Sequence, residues 1–152
     1  MLKAHVVFAT ITGNNQDIAD LVTEKLEDLG VQTKETEISQ TDPTEFKAVD
    51  ICVVCAYTYN EGHLPEEGLD FYDDLRATRL PKQIYGVAGS GDTYYRKYYN
   101  VAVDKFDRAF QRTKAQKGAK DIKINLSPDS VKDIQCLDHF SEQLVRSAKA
   151  KH

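Results

Sequence analysis

The sequence predicts an α/β fold: a parallel sheet with helices on both faces. Three observations carry that prediction. Strand-like and helix-like segments alternate five times along the chain. Residues 49–56, VDICVVCA, are apolar almost throughout, as a central strand covered on both faces must be. The chain has 152 residues, enough for one domain with a real core over 1–152 and too few for two.

The elements follow in order. Residues 3–9, KAHVVFA, read as the first strand. Over 14–29, Ile18, Leu21, Val22, Leu26 and Leu29 recur at helical spacing, and Gly30 is a stop signal. Residues 31–38 alternate as a partly exposed strand, and Pro43 opens a short helical turn up to Phe46. After the central strand comes a polar loop, 57–65, and a helix over 66–77 carrying Leu69, Phe71, Tyr72 and Leu75. Residues 83–89 are the fourth strand, and a loop at 90–96 leads to a helix over about 97–114. Residues 120–126, KDIKINL, are expected as the fifth strand. The SPDS stretch is a helix-start signal, with Ser127 as cap and Pro128 at N1, for a last helix over about 129–147.

Composition excludes several classes. The formal net charge is −4, so nucleic acid is not expected as the main partner, because phosphate backbones call for clustered Lys and Arg. No apolar run reaches membrane-spanning length. The N-terminus enters a strand at once, with no basic segment and long apolar stretch before it. A cytoplasmic protein, monomeric by default, is the expectation. Cys52 and Cys55 form a formal C-x-x-C, but positions i and i+3 of a strand point to opposite faces, so they read as buried hydrophobes. Cys136 reads as core, and the four histidines show no metal-ligand spacing.

In a doubly wound sheet the ligand lies beyond the carboxyl ends of the strands, at the switch point of the strand order. Two common five-stranded orders are open at this stage. In either, the loops at 10–15, 57–63 and 90–96 meet there. The first carries Thr10, Thr12, Gly13, Asn14 and Asn15, with no Lys or Arg. A helix N-terminus offers free N–H groups and the positive end of a dipole, and these residues add neutral donors, which suits a phosphate. Neither a Walker pattern nor G-x-G-x-x-G is present. The second loop carries Tyr57 and Tyr59, and the third Tyr94, Tyr95, Tyr98 and Tyr99. A phosphate site between two aromatic loops suits a flat ring with a phosphorylated tail.

These residues resemble the flavodoxins, which bind FMN. VVFATITGNNQDIADLV is similar to the N-terminal signature of that family at Val6, Val7, Phe8, Thr10, Gly13, Ala19 and Val22. Asn15 departs from the usual Thr but still offers an amide donor. YTYNEGHLPEEGLDFYDDL resembles the second flavin loop and YGVAGSGDTYYRKYY the third, with Asp92 at a Gly-Asp position and Tyr95 at the stacking aromatic. The resemblance covers essentially the whole chain and lacks the insertion of long-chain members.

The resemblance implies a three-layer flavodoxin-like sandwich with a five-stranded parallel sheet of order 2-1-3-4-5. It implies that Thr10, Thr12, Asn14 and Asn15, with the N–H groups of Ile11 to Asn15 and so of Gly13, hold the FMN phosphate. Tyr59 and Tyr95 would sandwich the ring. The second loop, from Thr58 through Asn60 and Glu61 to Gly62, would meet flavin N5, and Ser90, Gly91 and Asp92 the pyrimidine edge. No metal is implied. The expected function is that of a low-potential one-electron carrier shuttling between semiquinone and hydroquinone, with redox partner proteins docking through basic faces and no substrate site of its own. Two other readings use the same fold. One is a binding module that has lost FMN, for which Asn15 and Asn60 speak. The other is a small FMN-dependent reductase, for which nearly every residue is already used by the minimal fold. A phosphorylated receiver domain would need acidic residues after the first strand, where there are none.

Overall fold

A computed structural model describes residues 1–9, 14–57, 68–91, 100–126 and 128–151, without the side chains of Asn14 and Asn15. The strands are β1 (Lys3–Phe8), β2 (Gln32–Glu37), β3 (Ile51–Tyr57), β4 (Ile84–Gly91), β5 (Gln116–Lys117) and β6 (Ile122–Asn125). The helices are α1 (Asn14–Asp28), α2 (Leu69–Arg76), α3 (Val101–Arg112) and α4 (Val131–Lys151), with 3-10 turns at Ile38–Gln40 and Pro43–Ala48. The strands pair in parallel in the order β2-β1-β3-β4, as the resemblance implied.

The fifth place in the sheet differs from expectation. It is filled by two short strands, each parallel to β4: β5 pairs with Ile84 and Tyr85, and β6 with Ala88 to Gly91. Residues 118–121 interrupt them, and the break is held: Gly118 N–H donates to Tyr85 O at 2.8 Å, and Ser147 Oγ donates to Gly118 O at 2.8 Å. Gln116 and Lys117 are exposed, so burial left no apolar signal to mark them as a strand.

Alternation along β3 builds two cores. Ile51, Val53 and Cys55 face α1 and α4, whereas Cys52, Val54 and Ala56 face α2 and α3. On the first side Ile18, Ala19, Val22 and Leu26 of α1 pack with Leu137, Phe140 and Leu144 of α4. On the second, Phe46, Phe71, Phe106 and Phe110 form an aromatic cluster with ring centroids 5.8–6.4 Å apart. The two strand thiols therefore lie in different cores, and burial pushes both up from the ordinary thiol range. Cys136 is only half-buried, not core as expected.

Local signals place the ends. Gly30, at φ 86°, closes α1 with Val31 N–H donating to Leu26 O at 3.0 Å. Asp42 Oδ1 accepts from Thr44 N–H, and Glu45 Oε2 accepts from Asp42 N–H, both at 2.9 Å; together they start the turn at Pro43. The start of α4 is a correction. Ser130 Oγ accepts from Asp133 N–H at 3.0 Å, so the cap is Ser130, the second serine of SPDS, and Pro128 lies ahead of the helix. Ser127 lies outside the described residues.

Candidate cofactor site

The sheet brings the roots of the three loops side by side. At the carboxyl end Phe8 is in register with Cys55, and Tyr57 with Ser90. Ala9 N–H then donates to Cys55 O at 2.9 Å, extending the pairing to the last residue before the first loop. The order β2-β1-β3 puts the switch point between β1 and β3, so the first two loops leave the sheet on either side of it.

The structure describes two of the elements that carry expected site residues: the start of α1 and the end of β4. Thr10, Ile11, Thr12 and Gly13 lie outside the described residues. Asn14 and Asn15 open α1, so their backbone stands at the helix N-terminus. Thr58, Tyr59, Asn60, Glu61 and Gly62 lie outside the described residues, as do Asp92 and Tyr95. Ser90 and Gly91 belong to β4 and not to the following loop: the strand runs two residues beyond the expected end. Ser90 is buried and Gly91 half-buried.

Among the described residues, what favours an anion at the α1 N-terminus is the backbone. The first turn carries Asp17 and no basic residue, so the helix dipole and its free N–H groups are the sole described attraction for a negative group. Among the described residues no group of three His, Cys, Asp or Glu side chains is placed to hold a metal.

Two residues at this end were not anticipated. Asn100 is fully buried in the left-handed region at φ 53°, immediately before α3. Its Nδ2 donates to Ile124 O at 3.2 Å, and its Oδ1 is buried with no hydrogen-bond partner among the described residues. Asn and Asp tolerate that conformation better than other non-glycine residues. The helical pattern expected over 97–114 had placed Asn100 inside the helix; an Asn just ahead of the apolar run at Val101 was the available signal. Leu126 is the second: its φ is 61°, and its N–H donates to Gly91 O at 2.8 Å.

Comparison with known proteins settles the family. A family model described as Flavodoxin matches residues 6–140.

The chain belongs to the flavodoxin family.

Probable flavodoxin 1 of Bacillus subtilis strain 168 is 28% identical over 141 residues, spanning 93% of this chain and 89% of that protein. A solved short-chain flavodoxin, described as associated with a non-canonical PDU bacterial microcompartment, is 55% identical with a TM-score of 0.95 over 97% of this chain and 99% of that one. The Streptococcus pneumonia TIGR4 flavodoxin is 45% identical with a TM-score of 0.91, over 95% and 98% of the two chains. The match to the Bacillus subtilis sulfite reductase flavoprotein alpha-component is 25% identical and covers 21% of that protein. This flavodoxin is an FMN-binding electron carrier, and FMN is its cofactor. Among the described residues the backbone N-terminus of α1 is compatible with an anionic group such as the FMN phosphate, and the ends of β1, β3 and β4 lie side by side next to it.

Proposed function

We propose that this flavodoxin works at low potential, as a one-electron carrier between the semiquinone and hydroquinone of non-covalently bound FMN, donating to redox enzymes. The observation that carries the reading is the first turn of α1, which offers a dipole and Asp17 but no cation. A phosphate held by dipoles keeps its charge, and Asp70 adds another in the first turn of α2. Glu61, Glu66, Glu67 and Asp92 add four more by sequence. Each close charge opposes the one negative charge that the second electron would bring to the ring by about 1–4 kcal/mol, depending on the effective dielectric. For one electron about 1.4 kcal/mol corresponds to about 59 mV, so the second reduction falls to low potential.

Within this reading Thr10, Thr12, Asn14 and Asn15 hold the phosphate with the N–H groups of Ile11 to Asn15. Tyr59 and Tyr95 cover the ring, the Thr58–Gly62 loop meets N5, and the backbone of Ser90, Gly91 and Asp92 meets the pyrimidine edge. The chain acts as one domain in the cytoplasm, as a monomer, and performs no substrate chemistry of its own. Its partners present basic faces, steered to the acidic rim with a rate that falls as salt rises. The test is a dithionite titration of FMN-loaded protein followed by absorbance. Two resolved one-electron steps, the second well below free FMN, are expected. A single two-electron step near the potential of free FMN would sink the proposal.

A further inference from the structure

A cleft of about 500 Å³ lies between the break in the fifth place of the sheet and α4, lined by residues 117–120 on one side and by Gln143, Arg146 and Ser147 on the other. Its two walls are fixed to each other. Ser147 Oγ donates to Gly118 O at 2.8 Å, and Gly118 is so close to the core that a Cβ there would stand 2.1 Å from Ile84 Cγ2 and 3.1 Å from Leu144 Cδ2. Ala119 and Lys120 pair with no strand, since the register with β4 stops at Lys117 and resumes at Ile122. Gly118 and Ala119 are buried, whereas Lys120 and Arg146 are exposed.

The cleft is cationic in a chain of net charge −4. Lys117, Lys120 and Arg146 line it, and no acidic residue does. Lys117 is held by Asp107 at 2.6 Å and by Asp121 at 3.4 Å. Lys120 and Arg146 have no ion pair among the described residues. From His139 to the end of α4 the one acid is Glu142, and Lys25 takes it at 3.4 Å. A cleft lined by one sign of charge focuses the field and concentrates the opposite ion.

The donors select the anion. Arg146 offers a planar fork of N–H groups, Lys120 an ammonium and Gln143 an amide. A phosphomonoester brings a charge of about −1.5 to −2 and three acceptor oxygens on one atom, more of each than a carboxylate brings. The volume exceeds what a bare phosphate needs and falls in the range of sites for small organic ligands. Ala119 and the carbon stems of Lys120 and Arg146 give an organic tail apolar surface to lie on. Lys117 is in register with Tyr85, six residues before Gly91, which is about 20 Å along the strand from the loops proposed to meet FMN. We infer that the cleft between the β5–β6 break and α4 binds a small phosphomonoester, at a site separate from that of FMN.

The test is a heteronuclear NMR titration of FMN-loaded protein, freed of excess FMN, with phenyl phosphate. Expected is a saturable shift at the backbone amides of Gly118, Ala119 and Lys120 and at the side-chain amide of Gln143, with the flavin absorbance unchanged. K120Q/R146Q should weaken binding roughly tenfold or more, and Arg146→Lys about threefold, because the fork is lost while the charge stays. K132Q/K151Q removes the same charge from the two ends of α4 and should weaken binding less than about twofold. A control as weak as K120Q/R146Q assigns the binding to diffuse charge and overturns the inference. Inorganic phosphate should bind at least threefold more weakly than phenyl phosphate; equal affinity means an adventitious ion only and overturns it too. A glutamate-rich peptide that moves the same amides at lower concentration also overturns it and assigns the cleft to an acidic protein partner. Shifts confined to other residues, or none that saturate, overturn it in the wild type alone, with no variant needed.

Discussion

The Tyr85 hydroxyl donates a 2.5 Å hydrogen bond to Asp107 Oδ1, tying β4 to α3 inside the second core. Tyr85 also stacks on Phe110 with centroids 4.6 Å apart. The other carboxylate oxygen, Asp107 Oδ2, accepts from Lys117 Nζ at 2.6 Å, and Lys117 stands 3.4 Å from Asp121 in the break between β5 and β6. One buried anion thus holds the broken fifth place of the sheet against α3.

Asp121 makes that clasp sensitive to pH. Burial, then the hydrogen bond and charge of Asp107, push it up to about 7. Burial works against Asp107 as well, but its bonds from Asp121, Lys117 and Tyr85 hold it down, to about 2. The unfolded chain releases the Asp121 proton near pH ~3.9, whereas the folded chain keeps it to about 7. Folding therefore binds a proton in that window, and stability falls as pH rises through it. Asp121→Asn donates to Asp107 at every pH. Urea unfolding at pH 5 and pH 8 should show the variant gaining on wild type by about 1–2 kcal/mol, less than the full linkage value because the site stays partly solvated. An identical difference at both pH values would refute the assignment.

Lys114 follows α3 with φ 73° and its side chain in solvent. Its N–H donates to Gln111 O at 3.4 Å, and Thr113 N–H to Phe110 O at 2.9 Å, so the backbone requires this left-handed residue to close the helix. Lys114→Gly removes the steric cost but adds entropy to the unfolded chain. A net gain of about 0.5–1 kcal/mol in denaturant unfolding is expected; a loss would show that the lysine side chain contributes more than its conformation costs.

At Gly89, β4 passes so close to β3 that a Cβ would stand 2.1 Å from Ala56 O and 2.6 Å from Val103 Cγ2. The first neighbour is backbone and has no rotamer to change. Gly89→Ala should cost about 3 kcal/mol, at the upper end of overpacking, and should weaken FMN binding by moving the root of the third loop. Calorimetric melting with and without FMN measures both; an unchanged melting temperature would rule out the clash.

The strands and helices were legible where burial wrote a period into the sequence. β3 is apolar because both faces are covered, and α1 repeats at 3.6 because one face is. The strand expected over 120–126 is there as β6, but β5 was missed because Gln116 and Lys117 pair with β4 through the backbone and their side chains are exposed. The cap of α4 was misplaced because SPDS carries a capping residue at each end, and the bond from Asp133 N–H goes to Ser130. The loops proposed to meet FMN are a separate matter: Thr10, Tyr59 and Tyr95 were named from their order along the chain and their resemblance to a family, since a loop carries no period to read, and they lie outside the described residues.

Tyr95 is the residue on which the proposed ring contact depends most. Tyr95→Ala should weaken FMN roughly tenfold or more through lost stacking and burial, and Tyr94→Ala much less. Fluorescence titration of apoprotein measures both, and the reverse order would shift the assignment of the third loop by one residue.

The interrupted fifth place also governs how the protein behaves in a crowd of its own kind. A long, flat outer strand is a template on which another chain can add a strand and begin to aggregate. Here that border is offered as two residues and then four, out of line across residues 118–121. The opposite border, β2, carries Lys34, Glu35 and Glu37 along its six residues. One flank is broken and the other charged, and both features oppose the addition of a neighbour's strand.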